Sequence, residues 1–217
     1  MKQLLVILFI GMAGMLTAQD GMVELTKNFV FRDGIYLSFE SFKNNQPDLS
    51  WERMQLNGYT NPETLMTQVI EIETDTGALD LSRTWGLCID GTPAIRVRDS
   101  MGMMTYYAAL LWRGKICYYY YERDVEKKVK VSAYNPLTGK PFRTAFVSRK
   151  LPTIFEKMLD WETGEEALFT VDNFKKWIAD DEDLLLKLNE MTEAQADEIL
   201  LELLQNYSDR NVVFVRE

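Results

Sequence analysis

The chain has 217 residues, a net charge of −9 and an apolar fraction of 47%, enough to build a substantial core. It contains no histidine, which excludes imidazole-based serine or cysteine triads and histidine-ligated zinc, and removes the commonest general base near neutral pH. Its acidic balance makes it a poor partner for nucleic acid or anionic membranes.

The N-terminus reads as an export signal. Met1-Lys2 gives a short positive start, Leu4 to Leu16 is an apolar run, and Leu16-Thr17-Ala18 ends on small residues. This order predicts a secretory signal peptide over 1–18, cleaved after Ala18. The run is shorter than the about twenty apolar residues that a spanning helix requires. The expected product is an exported, periplasmic or extracellular chain, 19–217, forming one α+β domain that does not span the membrane.

From 28 to 170 the texture is that of short strands separated by turn dipeptides. Phe29-Val30-Phe31 leads into Asp33-Gly34 and Ile35-Tyr36-Leu37, which predicts a hairpin. Ser38 is placed to cap a short helix with Phe39 and Phe42 on its buried face, and Asn44-Asn45-Gln46-Pro47 stops it. Further hairpins are expected across Asp75-Thr76-Gly77, Asp90-Gly91, Arg113-Gly114, Asn135 to Gly139 and Glu162-Thr163-Gly164. Consecutive hairpins predict an antiparallel meander of about eight to ten short strands.

After Thr170 the apolar period changes to about 3.6 residues. Val171, Phe174, Trp177 and Ile178 mark one helix, and Leu184, Leu185, Leu188 and Met191 a second. A capping box at Thr192-Glu193-Ala194-Gln195 opens a third, with Ile199, Leu200, Leu203 and Leu204 on one face. The expected fold is therefore α+β, sheet first and three C-terminal helices over about 171–206.

Several quoted segments carry a resemblance. The Asp33 to Pro47 stretch, the Trp85-Gly86 strand running into Asp90-Gly91, Leu159 to Gly164, and Thr170-Val171-Asp172-Asn173-Phe174 are similar to segments of uncharacterised exported proteins of Bacteroidota-type bacteria. The resemblance implies export and one-domain architecture, and it brings no catalytic residues with it.

Candidate chemistry is sparse. Asp75-Thr76-Gly77 has the letters of an aspartic-protease loop, but the flanking Glu73-Thr74 is polar and no second copy follows. Asp180 to Asp183 lacks the alternating ligands and central glycine of a calcium loop. Cys88 and Cys117 either form one disulfide or sit apart as two small buried hydrophobes. The aromatic run Tyr118 to Tyr121 alternates faces on a strand. Tyr118, Tyr120, Trp112, Tyr106 and Trp85 are thus the candidate contact surface for a glycan, a lipid or an envelope protein, and a strand buried on both faces is the competing explanation.

The charge is segregated. Arg123 to Lys150 holds eight basic residues against two acids, a balance of +6, and Asp160 to Asp209 holds fifteen acids against three lysines, a balance of −12. The basic stretch reads as one solvated hairpin face, for which the acidic tail offers an intramolecular docking surface. The sequence thus points to a non-catalytic binding or structural protein of the bacterial envelope, with no cofactor. The alternatives are a carboxylate-based hydrolase built on Asp75 or Asp90, and a subunit of an envelope assembly.

Overall fold

A computed structural model describes residues 21–98 and 104–217. The segment read as a signal peptide, 1–18, lies outside them. Within the described residues the chain mixes helices with sheets that are antiparallel throughout.

The largest sheet contains β2 (Gly34–Tyr36), β3 (Met54–Thr60), β4 (Met66–Thr74), β5 (Gly77–Ala78), β6 (Gly86–Ile89), β7 (Thr92–Arg96) and β8 (Thr105–Ala109), in the order β2-β6-β7-β8-β4-β3 with β5 on β4. A second sheet joins β9 (Ile116–Tyr134), β10 (Pro141–Asp160) and β11 (Glu166–Leu168), and a third pairs β1 (Met22–Glu24) with β12 (Phe214–Arg216). This is not the single meander that the turn spacing predicts. Phe29-Val30-Phe31 is not a strand, and β2 pairs with β6 across about fifty residues of sequence. Gly34 serves the other edge of β2: a Cβ there would clash with the carbonyl oxygen of Leu49, which accepts from the Ile35 amide at 2.8 Å.

The helices are not all C-terminal. α1 (Phe39–Lys43) forms early, capped by Ser38, whose side chain accepts from the Ser41 amide. Asn45 follows in the left-handed region at φ 51°. Its Oδ1 accepts from the Arg32 amide, and its Nδ2 donates to the Arg216 carbonyl, tying the helix end to β12. Four helices end the chain: α2 (Val171–Trp177), α3 (Glu182–Asn189), α4 (Glu193–Glu198) and α5 (Leu200–Arg210). The expected capping box at Thr192 is present, but the third helix is broken into α4 and α5 at Ile199.

The base of the β9–β10 hairpin is the middle layer. Its odd-numbered residues Cys117, Tyr119, Tyr121 and Leu159 pack with Met66, Trp85, Ile95, Ala108 and Leu110 of the large sheet or its flanks. Its even-numbered residues Ile116, Tyr118 and Met158 pack against Phe174, Leu184, Leu203, Leu204 and Tyr207 of the helices. The far face of the large sheet carries Ile35, Val69, Ile72, Leu87 and Tyr107 under the 49–56 and 79–81 segments. A strand apolar on both faces is what a middle layer requires.

Candidate functional site

The five aromatic candidates do not form an open row. Tyr118 is 8% exposed and Trp85 7%, and Tyr106, Trp112 and Tyr120 are partly buried against the two cores. The exposed contact surface read from the sequence is therefore corrected: alternation on a strand covered from both sides sends one tyrosine row into each core. Tyr118 donates to Glu156 Oε1 at 2.6 Å and Tyr119 to Glu166 Oε2 at 2.7 Å. Burial, reinforced by those carboxylates, pushes both phenols well above their ordinary range, so they stay neutral hydrogen-bond donors.

Cys88 and Cys117 are free and buried in the same core, which is the small-hydrophobe alternative rather than the bridge. Burial raises both thiols, Cys117 to about 12, so neither provides a nucleophilic thiolate at neutral pH.

The carboxylate candidates are dispersed. Asp90 is an exposed turn residue with φ 51°. Asp75 faces Arg53 at 3.9 Å, with both side chains largely solvated. A shallow depression of about 480 Å³ brings Asp75 near Asp48 and Glu52, but Asp48 accepts from the Leu37 amide at 2.7 Å. Among the described residues no group of His, Cys, Asp or Glu is placed to hold a metal ion.

The feature with no internal role is the outer part of the β9–β10 hairpin. The sequence reading divides it into four short strands, whereas the structure runs 19 and 20 residues without interruption. Register is regular from Ile116↔Asp160 to Ala133↔Arg143, with one irregularity beside Pro141. Beyond Glu122↔Ile154 neither strand has a further sheet neighbour among the described residues, so some thirteen residues per strand project as a two-stranded arm, ~40 Å long at ~3.3 Å per residue. Pro152 is tolerated because β10 has a free edge there. The tip is closed by Asn135, whose Oδ1 accepts from the Leu137 amide, and by Gly139 at φ 64°.

Register sorts the arm's side chains. The cross-strand pairs Val125–Leu151, Val129–Val147 and Val131–Ala145 share one face with Lys127–Arg149 and Arg143. The acids Glu122, Asp124 and Glu126 lie on the other face, with Lys128, Lys130, Lys150 and Phe146. Phe146 is 70% exposed and Leu137, at the tip, 93%. An isolated two-stranded ribbon is marginal in water without a third strand or a covering layer, so the arm is an element built to be covered. The sequence signal for it was the alternation Asp124-Val125-Glu126 resumed at Lys128-Val129-Lys130-Val131, which marks one continuous amphipathic strand. The stretch is the solvated hairpin face read from the sequence, and among the described residues no ion pair joins it to the helices, whose Asp180 and Asp181 pair with Lys115 and Arg210.

No helix among the described residues is long and apolar enough to cross a membrane. Compared with known proteins, the chain matches no family model, no curated protein and no solved structure.

Proposed function

We propose that the protein is an exported, non-catalytic binding or structural protein of the bacterial envelope, and that the β9–β10 arm is the element that engages its partner. The observation that carries this reading is the arm itself: a regular ribbon, apolar and basic on one face, that extends beyond the covering layers among the described residues. The leader-like start of the chain supports export. The neutral, hydrogen-bonded tyrosines and dispersed carboxylates give the non-catalytic reading its support, because acid–base work needs titratable groups converging on one cleft. Among the partner classes considered, the arm suits a protein surface within an envelope assembly better than a glycan, because its basic face offers aliphatic pairs and cations with no ring among them.

The test is fractionation of cells expressing the full chain or a trimmed chain in which 126–150 is replaced by Asn-Gly, joining the paired Val125 and Leu151. The full chain is expected to be cleaved to begin at Gln19 and to remain with the envelope in a complex larger than itself. The trimmed chain is expected to fold and be exported but to leave that complex. Retention of the trimmed chain in the complex would overturn the arm's assigned role.

A further inference from the structure

We infer that the arm of one copy docks on the acidic helices α3–α5 of a second copy, in a reciprocal, two-fold exchange. This rests on the reading of the arm as the binding element and names its occupant.

The charge pattern makes the two surfaces complementary within one chain. The arm carries a balance of +6, the segment containing the terminal helices −12. Lys127, Arg143 and Arg149 have no ion-pair partner among the described residues, and their face of the arm bears no acid. On the helices, the exposed Leu186 (62%) lies one turn from Glu182, Asp183 and Glu190. The exposed Leu201 (41%) is next to Glu202 in the chain and follows Asp197 and Glu198 across the break at Ile199. Aliphatic side chains ringed by acids on the helices thus mirror aliphatic pairs ringed by bases on the arm. This is the arrangement in which opposite charges set register while apolar contact supplies affinity.

Geometry makes the contact intermolecular. The chain's own helices pack on the even-numbered face of the hairpin base through Ile116, Tyr118 and Met158. Lys127, Arg143 and Arg149 belong to the odd-numbered face and lie farther out along the arm. Size then argues for exchange. An arm face ~40 Å long and ~10 Å wide covers ~400 Å² on each partner, ~800 Å² in total for one contact, which is at the level of weak contacts. A two-fold pair of such contacts reaches ~1,600 Å², the standard size for a specific interface. A net charge of −9 argues against an anionic lipid as the occupant, since the bulk of the chain would be repelled.

The test is sedimentation velocity on protein purified from expression of the full chain, at about 50 mM and about 500 mM salt. A dimer is expected at low salt, loosening at high salt. The double variant Lys127→Glu/Arg149→Glu is expected to weaken it at least ~10-fold, as is Glu182→Lys/Glu190→Lys. Mixing the two reversed variants is expected to restore a dimer, a result that misfolding would not produce; unchanged circular dichroism of each variant checks the fold directly. A purified protein that stays monomeric at every concentration overturns the exchange, and so does a dimer indifferent to both charge reversals. Binding of the monomer to phosphatidylglycerol vesicles, lost in the Lys127→Glu/Arg149→Glu variant, would replace the second copy with a lipid surface. A monomer whose trimmed form still loses envelope retention refutes the exchange and leaves the arm's proposed role standing. A charge-sensitive dimer whose trimmed form is retained refutes that role alone.

Discussion

The ring of Phe42 lies 4.6 Å from that of Trp85 and 5.7 Å from that of Trp161, with Phe31 stacked on its other side at 4.7 Å. Three stretches far apart in the chain therefore meet at one aromatic centre: the Asp33 to Pro47 segment, the Trp85-Gly86 strand and Leu159 to Gly164. Gly164 completes it, because a Cβ there would come 2.5 Å from the Phe39 ring, and Lys43 Nζ donates to the Glu162 carbonyl across the same junction. The Asp33 to Pro47 segment thus contributes Phe42 to a packing centre.

Phe42 is 1% exposed, so Phe42→Ala removes most of the filling of this centre. A loss of ~3–5 kcal/mol is expected, measured by urea unfolding, with Phe42→Leu costing distinctly less. Equal, small losses for both would show that the aromatic centre contributes little.

Asn45 combines a left-handed backbone with a side chain that serves Arg32, Tyr36 and Arg216. Asn45→Gly keeps the backbone geometry and removes the hydrogen bonds, so its cost isolates them, at ~1–3 kcal/mol. Asn45→Ala adds the strain of a positive φ and is expected to cost more. Hydrogen exchange should show the Val215 amide opening first in both variants, because Asn45 ties β12 to α1.

Gly114 lets α5 approach the β8–β9 corner: a Cβ there would lie 2.8 Å from the Cβ of Ser208. Gly114→Ala is expected to destabilise by ~1–3 kcal/mol. Ser208→Gly alone costs about 1 kcal/mol of helix propensity, yet added to Gly114→Ala it should recover stability. Strictly additive losses in the double-mutant cycle would contradict the contact.

Alkaline pH should unfold the protein through its buried acids. Burial raises the thiols of Cys88 and Cys117 above their ordinary value of 9.0, the latter to about 12. Below pH 9 the thiols are protonated in both states and pH has no effect through them. Above it the unfolded chain sheds those protons while the folded chain keeps them, so stability falls as pH rises toward 12. Tyr207, raised chiefly by burial to about 12, adds to the loss above pH 10. Replacing both cysteines with alanine should move the onset of the alkaline decline upward in urea titrations at pH 8, 9 and 10; an unmoved onset would assign it to the tyrosines alone.

How far the sequence reached can be argued residue by residue. Local signals were legible where local physics decides: the Ser38 and Thr192 caps, the turns at Gly77, Gly91 and Gly164, and the first two helical stripes after Thr170 form as their spacing implies, while the third breaks at Ile199. The mixture of antiparallel sheet and helix followed from the same periods. The tertiary structure alone decided pairing and exposure, because both depend on residues distant in the chain. Strand β2 pairs with β6, some fifty residues away, rather than with the stretch next to it. The tyrosine run carries the same letters whether it lies open or between layers, and only the helices and large sheet on its two sides put it in the cores. The arm shows the converse: its alternation is local and readable at Val125 to Val131, but that no layer among the described residues covers it is a property of the fold.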